Sequence, residues 1–189
     1  MFVIALVGLS GVGKSTLLAQ LEKRIPLAHF AASDVIKAAL ARLESQSVSS
    51  EELRLRPILN NQNLLVSGFA RCTQGLNGLV VLDGHTVIDG SSGLIEIPAE
   101  VFGILRVRHI LFLAAHPDQI AERRRNDSHR SRPHRSTEQI RAHQELAIRV
   151  AEKIAAELQI SLTVIESGDL AYLHQFLCEF AGRIGGRAV

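Results

Sequence analysis

The run Gly8-Leu-Ser-Gly-Val-Gly-Lys-Ser-Thr16 constrains this chain more than any other feature. It fills every fixed position of the pattern G-x-x-x-x-G-K-[ST], follows an apolar stretch at Phe2–Val7, and opens an amphipathic one at Lys14. Glycines at such positions let backbone N–H groups turn inward around phosphate oxygens, where a side chain would obstruct them. A helix beginning at Lys14 aims its positive end at the same anion. The residues read as holding a nucleoside triphosphate are therefore Gly8, Ser10, Gly11, Val12, Gly13, Lys14, Ser15 and Thr16. Lys14 can bridge the β- and γ-phosphates, and the Ser15 hydroxyl suits Mg²⁺.

The rest of the chain has the alternation that this opening requires. Besides Phe2–Val7, residues 79–82, 109–113 and 161–165 are apolar or β-branched almost throughout, as in strands buried on both faces of a parallel sheet. Residues 27–30 form a weaker fifth strand. Helical patterns fall at 14–24, 34–44, 56–73, 98–105, 117–125, 137–158 and 170–183, with Ser33 as an N-cap and Pro57 and Pro117 near helix starts. Repeated β-α order predicts an open α/β sandwich, and 189 residues suit a single domain spanning 1–189. Apolar residues make up 47% of the chain, but no run reaches the roughly 20 that a membrane span needs. Only Met1 precedes the first apolar stretch, which runs into glycines rather than a cleavage site, so it reads as a strand and not a signal peptide. Cys72 and Cys178 lack metal spacing and read as buried reduced thiols, in keeping with a cytoplasmic location.

Two further clusters carry chemistry. Val80-Val-Leu-Asp83 is an apolar strand ending in a carboxylate, and ligands of an open α/β sheet sit beyond the carboxyl ends of its strands. Asp83 there can hold Mg²⁺ through water or cap a turn. His85 either faces the same crevice or is a hydrogen-bonded structural histidine. Residues 89–93, Asp-Gly-Ser-Ser-Gly, read as a turn or mobile loop. Between 122 and 135 stand Arg123, Arg124, Arg125, Arg130, Arg132 and Arg135, with His129 and His134 and no large apolar residue. Arginine forks suit phosphate oxygens, so a lid over 122–136 that clamps the transferring group is the main reading. Contact with nucleic acid is the competing one, weakened by an aromatic content of 4% and by the absence of aromatics from this segment.

With these pieces placed, the chain resembles the P-loop nucleoside monophosphate kinases, and among them the archaeal-type adenylate kinases. The likeness rests on the phosphate loop, on Phe30-Ala-Ala-Ser33-Asp34-Val-Ile-Lys37, and on Val80-Val-Leu-Asp83-Gly-His85-Thr86 with Gly93 and Ile97-Pro98. It extends through Arg123–Arg125 and the lid arginines to Ala142-His143-Gln144. The resemblance implies a parallel sheet in strand order 2-3-1-4-5, a short lid, and a helical arm over about 31–75 that binds the acceptor. It implies transfer of the ATP γ-phosphoryl group, with Mg²⁺, to a small-molecule nucleotide acceptor, AMP first. Lys14, Arg124, Arg130 and Arg132 would be catalytic, and Ser33, Asp34, Lys37, Arg54, Gln62, Arg71 and His85 would surround the acceptor. Lys37 stands where many adenylate kinases have arginine, and the arginine that follows Asp-Gly in the bacterial type is missing. The lid lacks a four-cysteine zinc pattern. Another small P-loop metabolite kinase, or a nucleotide-dependent RNA-associated ATPase or switch, is the alternative.

Overall fold

The computed structural model of the chain describes residues 1–44, 58–90, 93–127 and 133–185. In chain order its elements are β1 (Phe2–Val7), α1 (Lys14–Leu21), β2 (Leu27–Ala31), α2 (Ala32–Glu44), α3 (Ile58–Cys72), β3 (Leu79–Gly84), β4 (Val87–Gly90) and β5 (Gly93–Glu96). There follow α4 (Ala99–Ile104), β6 (Val107–Ala114), α5 (Pro117–Asn126), α6 (Thr137–Leu158), β7 (Ser161–Glu166) and α7 (Leu170–Gly185).

Five strands form one parallel sheet in the order β2-β3-β1-β6-β7. Numbered along the chain without the β4–β5 hairpin, this is the expected order 2-3-1-4-5. The most apolar strands take the middle. Val3–Val7 of β1 and Ile110–Leu113 of β6 are at most 2% exposed, which removes nearly all their side-chain surface from water. β7, at one edge, is half-exposed. Because β1 lies between β3 and β6, the loop leaving its carboxyl end emerges at the centre of the sheet, where neighbouring connections diverge.

Helix α6 shows how the flanking layer attaches. Ile140, His143, Ala147, Val150, Ala151 and Ile154 recur at three- and four-residue intervals and are all buried. Its start is a capping box: Ser136 Oγ accepts from the Gln139 backbone while the Gln139 side chain accepts from the Ser136 backbone N–H. Helix α7 closes the opposite end of the sheet with an aromatic cluster. Phe180 lies 5.0 Å from Phe2, and His109 on β6 meets Phe176 and Phe180 edge-on at 4.9 and 5.4 Å. Helices α2 and α3 pack together so closely that a Cβ on Gly68 would lie 2.8 Å from a Val35 methyl carbon.

Three expectations need correcting. Asp89 and Gly90 end β4 and Gly93 opens β5 of an antiparallel hairpin, in which Val87 pairs with Glu96 and Gly90 with Gly93. Cys72 and Cys178 are free but exposed. Cys72 ends α3, and Cys178 lies on the outer face of α7, one position beyond the buried Leu177. Helix α2 begins at Ala32, so Ser33 sits within its first turn rather than capping it. No helix among the described residues is long and apolar enough to cross a membrane.

Candidate active site

The glycine loop connects β1 to α1 between the ends of β3 and β6, where Val7 is level with Gly84 and Phe112. Its shape needs glycine. Gly11 and Gly13 have φ of 88° and 108°, in the left-handed region, and a Cβ on Gly11 would come within 2.9 Å of Arg124 Cγ. Gly13 precedes the first turn of α1, so unsatisfied backbone donors at the helix start lie beside the loop.

Lys14 is 7% exposed and folded onto this loop. Its Nζ donates to the Gly8 carbonyl at 2.9 Å and the Leu9 carbonyl at 3.3 Å, and lies 3.7 Å from Asp83 Oδ1. A buried ammonium needs such partners. Asp83 arrives at the end of β3 level with Leu6, so cation and carboxylate meet because two adjacent strands end together. His85, just beyond β3, donates its Nδ1–H to the same Gly8 carbonyl at 2.7 Å. The loop entrance is thereby tied to β3 by two side chains. Ser15 and Thr16 are exposed on the first turn of α1.

The first arginines of the basic segment reach the loop from the other side. Arg123 Nη1 donates to the Val12 carbonyl at 2.7 Å and to Ser167 Oγ at 3.2 Å, and Arg124 Nε donates to the Ser10 carbonyl at 2.9 Å. Helix α5 is aligned for this by Gln144 of α6, whose amide bonds both the N–H and the carbonyl of Ala115 at 3.1 and 3.0 Å, just before Pro117 opens the helix. The sequence singled out Ala142-His143-Gln144 by resemblance, but the Ala115 contact of Gln144 could not be read from it, because its partner lies 29 residues away. Arg135 instead pairs with Asp89 of β4 at 2.9 Å. Arg130 and Arg132 lie outside the described residues.

The expected acceptor residues fall into two groups. Ser33 and Asp34 are exposed at the start of α2, immediately after β2 ends level with Asp83, and Lys37 follows one turn on, 3.4 Å from Asp34. Gln62 is buried near the start of α3. Since α3 leads into the amino end of β3, its first turns lie toward the loop end of the sheet and its last turn at the far end. Arg71, exposed in that last turn, is thus about 13 Å along the helix axis from Gln62. The geometry does not bring these two together. Arg54 lies outside the described residues.

The donor set fits a nucleotide-bound Mg²⁺. The described residues contain no cluster of three His, Cys, Asp or Glu, and the loop region offers two hard oxygens, the Ser15 hydroxyl and the Asp83 carboxylate. An ion that prefers an octahedral oxygen shell completed by water and phosphate needs little more from protein.

Comparison with known proteins bears on the family and the fold. The family described as AAA domain matches residues 7–141. An adenylate kinase from Sulfurisphaera tokodaii is 30% identical over 143 residues, covering 70% of this chain and 73% of the relative. Among solved structures, a shikimate kinase from Bacteroides thetaiotaomicron superposes with a TM-score of 0.56 at 20% identity, covering 94% of this chain and 97% of that one. A gluconokinase from Sinorhizobium meliloti 1021 gives 0.54 at 12% identity, with 100% and 98% covered. These two likenesses concern the fold.

Proposed function

From a chain that belongs to the AAA domain family and to the P-loop kinases related to adenylate kinase, we propose an enzyme that transfers the γ-phosphoryl group of ATP to a nucleoside monophosphate, AMP first. The observation that carries this reading is the convergence of Lys14, Asp83 and Arg124 on one glycine loop, with Lys14 Nζ 3.7 Å from Asp83 and Arg124 bonded to Ser10. Kinship with an adenylate kinase supports the choice of acceptor.

Phosphoryl transfer asks the protein for position and charge more than for covalent chemistry. An acceptor phosphate oxygen forms its bond to the γ-phosphorus as the bond to the β–γ bridging oxygen breaks, and the electron pair leaves on ADP. The acceptor is already an anion, so no general base is required. Backbone donors of the loop orient the triphosphate. The Lys14 ammonium exchanges its carbonyl partners for phosphate oxygens, and Arg124, with Arg130 and Arg132, meets charge spread over the transferring group. Mg²⁺, held through Ser15 and Asp83, supplies neutralising charge to the phosphates when bound. On the acceptor side, Ser33, Asp34, Lys37 and Gln62 border the space between the starts of α2 and α3, His85 holds the loop entrance, and Arg54 is proposed to act on the same acceptor.

The test is ATP-dependent diphosphate formation across AMP, GMP, CMP, UMP and dTMP, with shikimate and gluconate as further acceptors. Turnover of AMP above the others is expected. Turnover confined to a sugar-like acid transfers the chain to the metabolite kinases, and ATP hydrolysis stimulated only by RNA favours the switch alternative.

A further inference from the structure

Two consecutive arginines of α5 hold alternate carbonyls of the phosphate loop. Arg124 Nε donates to the Ser10 carbonyl at 2.9 Å, and Arg123 Nη1 to the Val12 carbonyl at 2.7 Å. The Arg123 guanidinium also lies against the next residue, where a Cβ on Gly13 would stand 3.5 Å from Nη1. Its second bond from Nη1, 3.2 Å to Ser167 Oγ, crosses to the turn that follows β7. That turn is itself fixed, since the Ser167 N–H donates to the Ala114 carbonyl at the end of β6 at 2.6 Å. Val12 is fully buried, so its carbonyl meets the guanidinium rather than water.

A trans peptide is planar and carries its C=O and the following N–H on opposite sides. No peptide bond among the described residues is cis. Because the Val12 carbonyl is turned toward Arg123, the Gly13 N–H is turned away from it. The Gly11 N–H is turned away from Arg124 for the same reason. Neither amide has an acceptor among the described residues, whereas the Val12 N–H between them bonds the Leu9 carbonyl at 3.2 Å. Two such donors beside the start of α1 are the pattern of an anion cradle. Glycine makes them easy to aim and equally easy to lose. With no Cβ at 11 or 13, little in the chain itself resists rotation of these peptides.

We propose that Arg123 is a positioning residue for nucleotide binding. By holding the Val12 carbonyl it fixes the Val12–Gly13 peptide and presents the Gly13 N–H to the triphosphate. It acts on the peptide and not on the nucleotide. The proposal rests on the phosphate-loop part of the kinase reading above and is independent of the acceptor.

Arg123→Met keeps the aliphatic stem and removes the donors. Its affinities for MgATP and for inorganic tripolyphosphate, measured by calorimetry, should both fall about tenfold, the size expected for one charge-assisted hydrogen bond. A second readout needs no ligand: the Gly13 amide signal of the free protein, followed by NMR, should move and broaden as the peptide samples more than one orientation. Ser167→Ala, which frees one side of the guanidinium, should show both effects in smaller measure, and it decides the matter if Arg123→Met does not fold. Wild-type affinities in the folded variant would overturn the proposal. A loss for MgATP without one for tripolyphosphate would place Arg123 on the base instead. Equal losses with a sharp, unmoved Gly13 amide would place it directly on the phosphates. A wild type that binds neither compound would sink the phosphate-loop reading separately, and the Gly13 amide would then decide whether Arg123 holds the peptide.

Discussion

Lys14 shows how one buried charge prepares a site. Its ammonium is held by the Gly8 and Leu9 carbonyls and by Asp83, so its desolvation is met before any anion arrives. Removing a preorganised charge from the transferring group should cost about 3 kcal/mol or more, on the order of 10² in rate. Lys14→Met, which keeps the buried stem, should therefore fold normally and lose that factor in kcat. Steady-state kinetics beside a thermal melt check both halves, and near-normal turnover would remove Lys14 from the mechanism. Asp83→Asn should weaken activity at limiting Mg²⁺ more than it weakens metal-free nucleotide binding, because backbone donors hold the phosphates and the carboxylate serves the metal. Full activity in that titration would make Asp83 a structural residue. On the acceptor side, Gln62→Ala should raise the KM for the monophosphate well above any effect of Arg71→Ala, since Arg71 is exposed at the far end of α3. Equal effects would show that the helix-end argument fails.

Among the elements, the α2–α3 pair packs closely at Gly68. A methyl on Gly68 would meet Val35 Cγ1 at 2.8 Å and the Val35 carbonyl at 3.2 Å, and a backbone oxygen cannot move aside as a side chain can. Gly68→Ala should destabilise the fold by about 1–3 kcal/mol, read from urea unfolding, despite the better helix propensity of alanine. An unchanged or raised midpoint would show that the two helices separate freely. Elements differed in how far they could be read beforehand. The strands of the large sheet were legible because burial on both faces demands continuous apolar runs such as Val80-Val-Leu. The hairpin was not, because its strands have four residues each around Asp-Gly-Ser-Ser-Gly and depend on Thr86, Asp89 and distant partners, Ala147 on α6 and Arg135 just before it. Glycine and serine announce a turn, but only tertiary contacts make its flanks pair. The cysteines were misread for a related reason. Average burial says nothing about which helix face a position occupies, and Cys178 follows the buried Leu177 onto the exposed side. The phosphate loop was legible because its chemistry is local, whereas Arg123 on Val12 and Gln144 on Ala115 join residues more than twenty apart.

For the molecule as a whole, two buried histidines couple stability to acidity. His109, packed among Phe176, Phe180 and Thr163, and His143 beside the hairpin both have pKa values below the ordinary 6.5, mainly through burial. The unfolded chain then binds more protons than the folded one between the folded and unfolded pKa values. Stability from these groups is full above about pH 6.5 and is lost as pH falls toward the lowered values. The melting temperature should drop between pH 7.5 and 5.5, and His109→Phe should flatten part of that drop. An equally steep profile in the variant would exclude His109 as a source. The central place of β1 has a consequence in time as well as in space. Its partners β3 and β6 begin about 75 and 105 positions later in the chain, and loop closure over such distances makes these pairings slow. The glycine loop takes its shape from contacts with Asp83, His85, Arg123 and Arg124. On a ribosome the loop is thus made before every one of these partners and becomes able to hold a nucleotide only after them, so a nascent chain halted before Arg124 should not bind one.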